Sequence, residues 1–490
     1  MSVGSLTPSR AILPIGALVA AGAIGAASAV LPASTLALVV ATFVIVLALL
    51  LATPVAVFAL LILAPLSALL SVRMPGVLPA DLGQVLLALS LSALIAAAVI
   101  RRRISLPRLG SPIMLGLLAF VVAGGISAFS AASLSAWTVE WLKWLLMAAV
   151  AAWVIAYRRW EWVLFAVTMA GVANAIVGIW IYFGGSGAEH FLITPGSYRA
   201  FGTFEQPNPF AAFMGIVAPV AGAASVGYIR AAWAMRRSSY RSRWGTNVLC
   251  AGYYGVASAL MLAALVFSWS RGAWLAAGVA GVVVALAMPR RRLHSAVLLA
   301  GIVAASVLAI ASGRLPASIT ERVASAFTDL VNVSDVRGAD VTPENYAVVE
   351  RLAHWQAAVE MARLSPVTGV GLGNYEVVYP QVRLMSWKFA LGHAHNYYLN
   401  VLAETGMIGV LAYAGMWVVF VVVSARARAH PDPLASSIAA GLLGSWTYII
   451  VHSVTDQVFV NYAFLHVGVL IGLAGLLHGQ TWKLNRLNPQ

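Results

Sequence analysis

The run Gly392-His-Ala-His-Asn-Tyr-Tyr-Leu-Asn-Val-Leu-Ala-Glu-Thr-Gly-Met-Ile-Gly409 carries two imidazoles, two amides and a carboxylate within twelve residues of an otherwise apolar sequence. Ionisable groups at membrane depth cost about 2.5–3.5 kcal/mol each on insertion scales, so such a patch needs water, partners or a task. His395 is the candidate proton acceptor, since an imidazole ordinarily titrates near pH 6.5, about where cells work. It lies just before a helix expected to start near Asn396, whose free amides attract an anion. Arg199 and Arg271 are the candidate cations, because a guanidinium stays charged whatever its surroundings. Arg271 sits in a short outer turn, Phe267-Ser-Trp-Ser-Arg-Gly-Ala273, with few acids nearby in sequence.

Each assignment has a plainer rival. Arg271 snorkels to lipid headgroups, or Arg199 pairs with Glu189 or Glu205. His393 and His395 form a metal pair, for which a third ligand would have to come from Glu404 or from far away; the expected metal content is none. His393 is also read as a structural histidine. Asn396, Asn400 and Glu404 recur every four residues and form a stripe on one helix face, serving either hydrogen bonds between helices or the orientation of His395. Gly406 and Gly409 are expected to permit close helix packing.

Positioning these groups falls to membrane helices. Hydrophobic residues make up 61% of the 490-residue chain and charged ones 9%, which excludes a soluble domain. Apolar runs of spanning length lie near 11–31, 35–52, 54–71, 82–100, 112–130, 139–157, 161–183, 208–229, 247–267, 272–288, 293–311, 400–424, 434–452 and 457–477. The expected fold is therefore all-α and polytopic, with about 12–14 transmembrane helices. With the N-terminus inside, cytoplasmic segments hold 19 of the 30 Lys and Arg, among them Arg101 to Arg103, Arg236, Arg237 and Arg290 to Arg292, against two acids, Glu161 and Asp432. The formal charge of +14 is thus a topology signal, and nucleic-acid binding is not expected. A cleavable leader over 11–31 is the alternative for the first span. Cys250 is the single cysteine, so there is no disulfide framework.

Three regions follow: spans with short outer loops over 1–311, a long outer loop over 312–399, and C-terminal spans over 400–490. Loops of that length are uncommon unless they work or carry structure. Residues 344–363 place Val348, Leu352, Trp355, Val359 and Ala362 on one helical face, predicting a surface helix ended by Ser365-Pro366. Trp137, Trp141, Trp144, Trp160 and Trp162 read as interfacial belt residues. Trp269, Trp274, Trp355 and Trp387 anchor to the membrane or stack on sugar rings.

Arg351-x-x-His-Trp355, Ser365-Pro366, Gly369-x-Gly-x-Gly-Asn374 and His395-Asn396, followed after nine residues by Gly406-x-x-Gly409, resemble the signature of the bacterial O-antigen ligase and O-antigen polymerase superfamily. The resemblance extends more loosely to 199–208 and to Ser270-Arg271-Gly272. It implies glycosyl transfer on the outer face of the inner membrane from a glycan carried on undecaprenyl diphosphate, with no cofactor, nucleotide sugar or metal. The acceptor is a lipid A-core sugar in the ligase branch and another lipid-linked glycan in the polymerase branch. Both termini are then cytoplasmic and membrane lipids are partners. Asn396, His393, Asn400, Glu404, Arg351, Trp355 and Asn374 are expected to meet substrate. Fourteen candidate spans exceed the dozen typical of the family, leaving the first two or three as accessory or miscounted. Such a reaction requires a base for the incoming hydroxyl and cations for the departing diphosphate. A transporter of lipid-linked sugars would also place arginines in a cavity, but with internal symmetry and charges in both membrane halves.

Overall fold

In a chain this apolar, backbone amides find no water in the hydrocarbon and bond within helices. A computed structural model describes residues 53–63, 65, 110–157, 159–185, 188–236, 241–289, 292–311, 335–342, 345–384 and 386–487. The expected spans at 11–31, 35–52 and 82–100, most of 54–71, and loop residues 312–334 lie outside them. The chain divides into two compact units; Met1–Leu60 and Gln84–Ile104 form one, and the other, Leu61–Gly83 with Ser105–Gln490, holds everything described below.

Its helices are α1 (Pro112–Ile126), α2 (Leu134–Tyr157), α3 (Trp160–Trp180), α4 (Pro207–Met235), α5 (Arg241–Phe267), α6 (Arg271–Ala287), α7 (Arg292–Ala311), α8 (Tyr346–Leu364), α9 (Tyr375–Val382), α10 (Tyr397–Ala427), α11 (Pro433–His452) and α12 (Ala463–Leu487). Among the described residues eight helical segments are long and apolar enough to cross a membrane, and α6 and part of α7 are shorter apolar helices. The chain is an all-α polytopic integral membrane protein. The hairpin β1 (Leu192–Thr194) and β2 (Ser197–Tyr198) decorates one loop.

α4, α11 and α12 are the inner helices: 78–83% of their apolar windows is buried, against 33% for α2 and α5, which face outward. Small residues let α4 and α11 approach closely, with Gly441 facing the backbone of Pro219 and Val220. At the basic end, Arg230 donates to Ser437 Oγ at 3.1 Å and to the Met288 carbonyl at 3.0 Å, and Arg428 donates to the Pro289 carbonyl at 3.3 Å.

The end of the bundle opposite these arginines is built differently from a simple run of spans. α8 forms where the sequence places it and stops at Ser365. Its buried stripe is Val349, Leu352, Ala353, His354, Ala357, Ala358, Met361 and Ala362, which includes Leu352 and Ala362 of the expected face, with Val348, Trp355 and Val359 only half-buried. The stripe is rotated and widened because the helix packs on α9 and α10 instead of resting one face on lipid. Trp387 is buried with Val336, Val349, Leu352 and Ala353, and Trp355 packs against that cluster. Trp387 is therefore core and Trp355 lies half-buried against it, and Trp144 and Trp160 are buried as well.

Gly406, at φ +60° and ψ −160°, breaks α10. The break frees carbonyls before it and amides after it, and the loop from Pro366 to Gly371 takes both. Val370 N and Gly371 N donate to Ala403 O and Glu404 O, and Met407 N and Ile408 N donate to Pro366 O and Val367 O, at 2.9–3.2 Å. Gly369, at φ +68°, lies so close to Glu404 and Thr405 that a Cβ would enter their backbone. Gly406 therefore serves a helix break filled by this loop, beyond the close packing its spacing suggests.

Candidate active site

The loop before α10 curls over the helix start. Leu391, Gly392 and His395 all have positive φ, at +51°, +81° and +52°. Asn396 caps α10, its side-chain oxygen accepting from Tyr398 N at 3.1 Å and Leu399 N at 3.2 Å. Asn400 Oδ1 accepts from Ala394 N at 3.1 Å. Glu404, fully buried, accepts from Tyr375 N at 3.0 Å. The polar stripe thus does three separate jobs of positioning, two of them on the histidine loop.

Tyr397 N donates to Ser453 O at 2.7 Å, tying this loop to the turn after α11. That turn carries Asp456, 4% exposed, whose backbone N–H donates to His452 O. Asp456 Oδ1 lies 3.5 Å from His393 Nε2 and 3.6 Å from His395 Nδ1. Burial alone would raise the Asp456 carboxyl, but the close approach of His395, then His393 and His452, outweighs it and holds the group below the ordinary carboxylate range. His395 Nδ1 is buried on this carboxylate side, which leaves Nε2 as the nitrogen able to meet a substrate.

The arginines share the same end. Arg199 Nε donates to Ser268 O at 2.9 Å and its Nη2 to Asn208 Oδ1 at 3.3 Å. Ala200 N donates to Phe267 O. The turn so gripped leads into Ser270, the N-cap of α6, and half-buried Arg271, the first residue of that helix. Next to it Gly272 abuts Thr455, one residue from Asp456. Arg351, half-buried on α8, is close enough for its charge to act on His393 and His452. The structure therefore gathers Arg199, Arg271, Arg351, His393 and His395 at one end.

Asn374 is placed elsewhere. It is fully buried, accepts from Ser133 N at 2.6 Å and donates to Ser133 O and Leu372 O at 3.2 Å, which locks the glycine loop to the start of α2.

Asp456 and His452 are additions to the sequence reading, and His354, quoted there only as part of the Arg351-x-x-His-Trp355 motif, gains a place at the site. Asp456 is the single acid after Asp432, a signal available in the sequence; the span expected at 457–477 is present but starts at Ala463, and the residues before it form the turn that carries Asp456. His452, 1% exposed, stacks on Tyr448 and flanks Asp456. His354, fully buried on α8, lies 5.7 Å ring to ring from His395 and stacks on Tyr379. Tyr375 Oη donates to the His354 carbonyl at 3.1 Å, so at 3.0 Å it accepts from His354 Nδ1. Burial, followed by the nearby His395 and His393, pushes the His354 pKa down to about 3.

His393, His395 and Asp456 also present three ligand atoms within 4.8 Å of one another, the spacing of a metal site. Their hydrogen bonds do not fit one. His395 N donates to His393 Nδ1 at 3.0 Å, so a neutral His393 keeps its proton on Nε2, the nitrogen facing Asp456. A ligand nitrogen must offer a lone pair there. Glu404, the other third ligand considered, is engaged with Tyr375.

Residues 256–414 match the family model described as O-antigen ligase. The match covers α6, α8, α9 and the His395-Asn396 start of α10 through Gly406 and Gly409, and leaves Arg199 and Asp456 outside it. No curated protein matches the chain.

Proposed function

From the match of residues 256–414 to the O-antigen ligase family model, we propose that the chain transfers a glycan from undecaprenyl diphosphate to a sugar hydroxyl of lipid A-core, on the periplasmic side of the inner membrane with both termini cytoplasmic. The observation that carries the reading is the pairing of His395 with buried Asp456 on the end of the bundle that also holds Arg199 and Arg271.

In this scheme His395 Nε2 takes the proton of the acceptor hydroxyl as its oxygen bonds to the anomeric carbon. The bond from that carbon to the diphosphate oxygen breaks, and the electron pair leaves on the diphosphate. Asp456 stabilises the imidazolium through Nδ1, as a carboxylate does for a base whose other nitrogen works. Arg199 and Arg271, assisted by Arg351, balance the charge that grows on the leaving group. Asn396 and Asn400 act on the substrate indirectly, by holding the loop that carries His395. Trp355 and Asn374, which are packed into the scaffold, shape the site without touching sugar.

The test is the product formed by purified protein from lipid-linked glycan. Transfer of whole chains to lipid A-core, unchanged in excess EDTA, is the expected result. Joining of one lipid-linked glycan to another instead identifies the polymerase, and activity lost on chelation and restored by one added divalent ion overturns the arginine and histidine mechanism.

A further inference from the structure

His395 is held in a backbone conformation that L-residues resist: at φ +52° it lies in the left-handed region. Something must hold it there. Its own amide supplies the handle, donating to His393 Nδ1 at 3.0 Å. A nitrogen that accepts a hydrogen bond carries no proton, so the other nitrogen of the same ring, Nε2, carries it and points it at Asp456 Oδ1, 3.5 Å away. That oxygen also faces His395 Nδ1 at 3.6 Å. Gly392, at φ +81° with open space where a side chain would be, lets the chain fold the His393 ring back between the two.

We propose that His393 is a positioning residue for the transfer reaction: one ring nitrogen fixes the backbone of His395, and the other shares the Asp456 carboxylate, moderating its pull on His395. The role rests on the reading of His395 as base and gives His393 no contact with substrate. It differs from a merely structural histidine because it couples two features of the base, where its ring sits and how strongly it holds a proton. Burial, working against Asp456, brings the His393 pKa down to about 4, so Nδ1 remains an acceptor across the working range. Among the described residues, the other titratable and charged groups facing this cluster are His354 and Arg351 from α8 and His452 and Tyr448 from α11. Arg271 opens the helix whose Gly272 meets the Asp456 turn.

The experiment compares H393A, H393N and H395A with wild type in purified form, using a lipid-linked glycan and lipid A-core. It measures kcat, donor KM and the pH–rate profile, with thermal unfolding as the check on folding. Asparagine is the informative variant: its side-chain oxygen accepts the N–H two residues on, as in an Asx turn, yet its amide is too short to reach Asp456. The expected kcat of H393A is lower by about 10-fold or more with donor KM little changed, and H393N recovers most of it. In both variants the acid limb of the profile moves to higher pH, because Asp456, deprived of one N–H, turns its full charge on His395 and favours the protonated ring. The proposal is overturned if H393N is folded and as slow as H393A, or if the acid limb of the His393 variants superimposes on wild type. Inactive H395A beside unaffected His393 variants removes this inference alone. Normal turnover by H395A removes the base assignment and the positioning role with it.

Discussion

Replacing Gly369 by alanine is expected to damage the site from a distance, and the size of the effect follows from two separate penalties. Gly369 has φ +68°, where an L-residue pays about 1–2 kcal/mol. Its new Cβ would also enter the backbone of Glu404 and Thr405, a neighbour that cannot rotate aside as a side chain could. Relief requires the loop to lift from the break in α10, and four hydrogen bonds hold it there: Val370 to Ala403, Gly371 to Glu404, Met407 to Pro366 and Ile408 to Val367. At about 1 kcal/mol each, losing even two or three raises the total to roughly 3–5 kcal/mol, a large share of the stability of a typical domain. Gly392 provides the matched control, with φ +81° but nothing within 4 Å of a built Cβ, so its alanine variant pays the first penalty only. The assay is thermal unfolding in detergent alongside transfer activity. Equal unfolding temperatures for G369A and G392A would refute the account of the loop as the filler of a helix break.

Asp456→Asn should lower the transfer rate by about 10²-fold or more and move the acid limb of the pH–rate profile to lower pH, the opposite direction to the His393 variants, because a neutral amide no longer favours the imidazolium. A profile that stays in place would separate Asp456 from the base. Arg271→Lys should be a poor replacement, since a point cation cannot form two parallel hydrogen bonds to a diphosphate; wild-type rate and donor affinity in that variant would instead support a role at the lipid headgroups. Stability should fall on acidification below pH 6.5. Buried His354 and His393 stay neutral down to about 3 and about 4, whereas in the unfolded chain they bind protons from about pH 6.5. The stability these rings permit is therefore present above pH 6.5 and lost as pH falls toward their folded values, by up to a few kcal/mol. Thermal unfolding measured from pH 7.5 to 4.5 tests this, and an H354Q variant with an unchanged acid slope would contradict it.

The membrane architecture was legible in the sequence wherever an apolar run alone specifies a helix. The expected run at 112–130 matches the segment Pro112–Ser130, and 434–452 matches Pro433–His452. The surface helix expected over 344–363 is Tyr346–Leu364, because its Ser365-Pro366 stop is local chemistry. The face it buries was only partly legible: Leu352 and Ala362 are buried as expected, but the width of the stripe depends on α9 and α10, elements the periodicity of one segment cannot see. The break at Gly406 was hidden for a similar reason: an unbroken apolar run reads as a straight span, and only the hydrogen bonds offered by residues 366–371 make the interruption affordable. His395, Arg199 and Arg271 stand out by residue type and position. Asp456 was visible as a solitary acid, but its partner lies 61 positions away in His395 and is reached only through the fold. The same is true of His354, whose approach to His395 is made by the docking of α8 on α10.

The central claim is that His395 removes the proton of the acceptor hydroxyl, and the most direct test is single-turnover transfer by purified H395A, with donor binding measured separately on the same preparation. A base acts in the transition state, so the account predicts a rate lower by about 10²–10⁴-fold with donor affinity unchanged. Transfer by H395A at the wild-type rate, or a loss explained entirely by weaker donor binding, would contradict it.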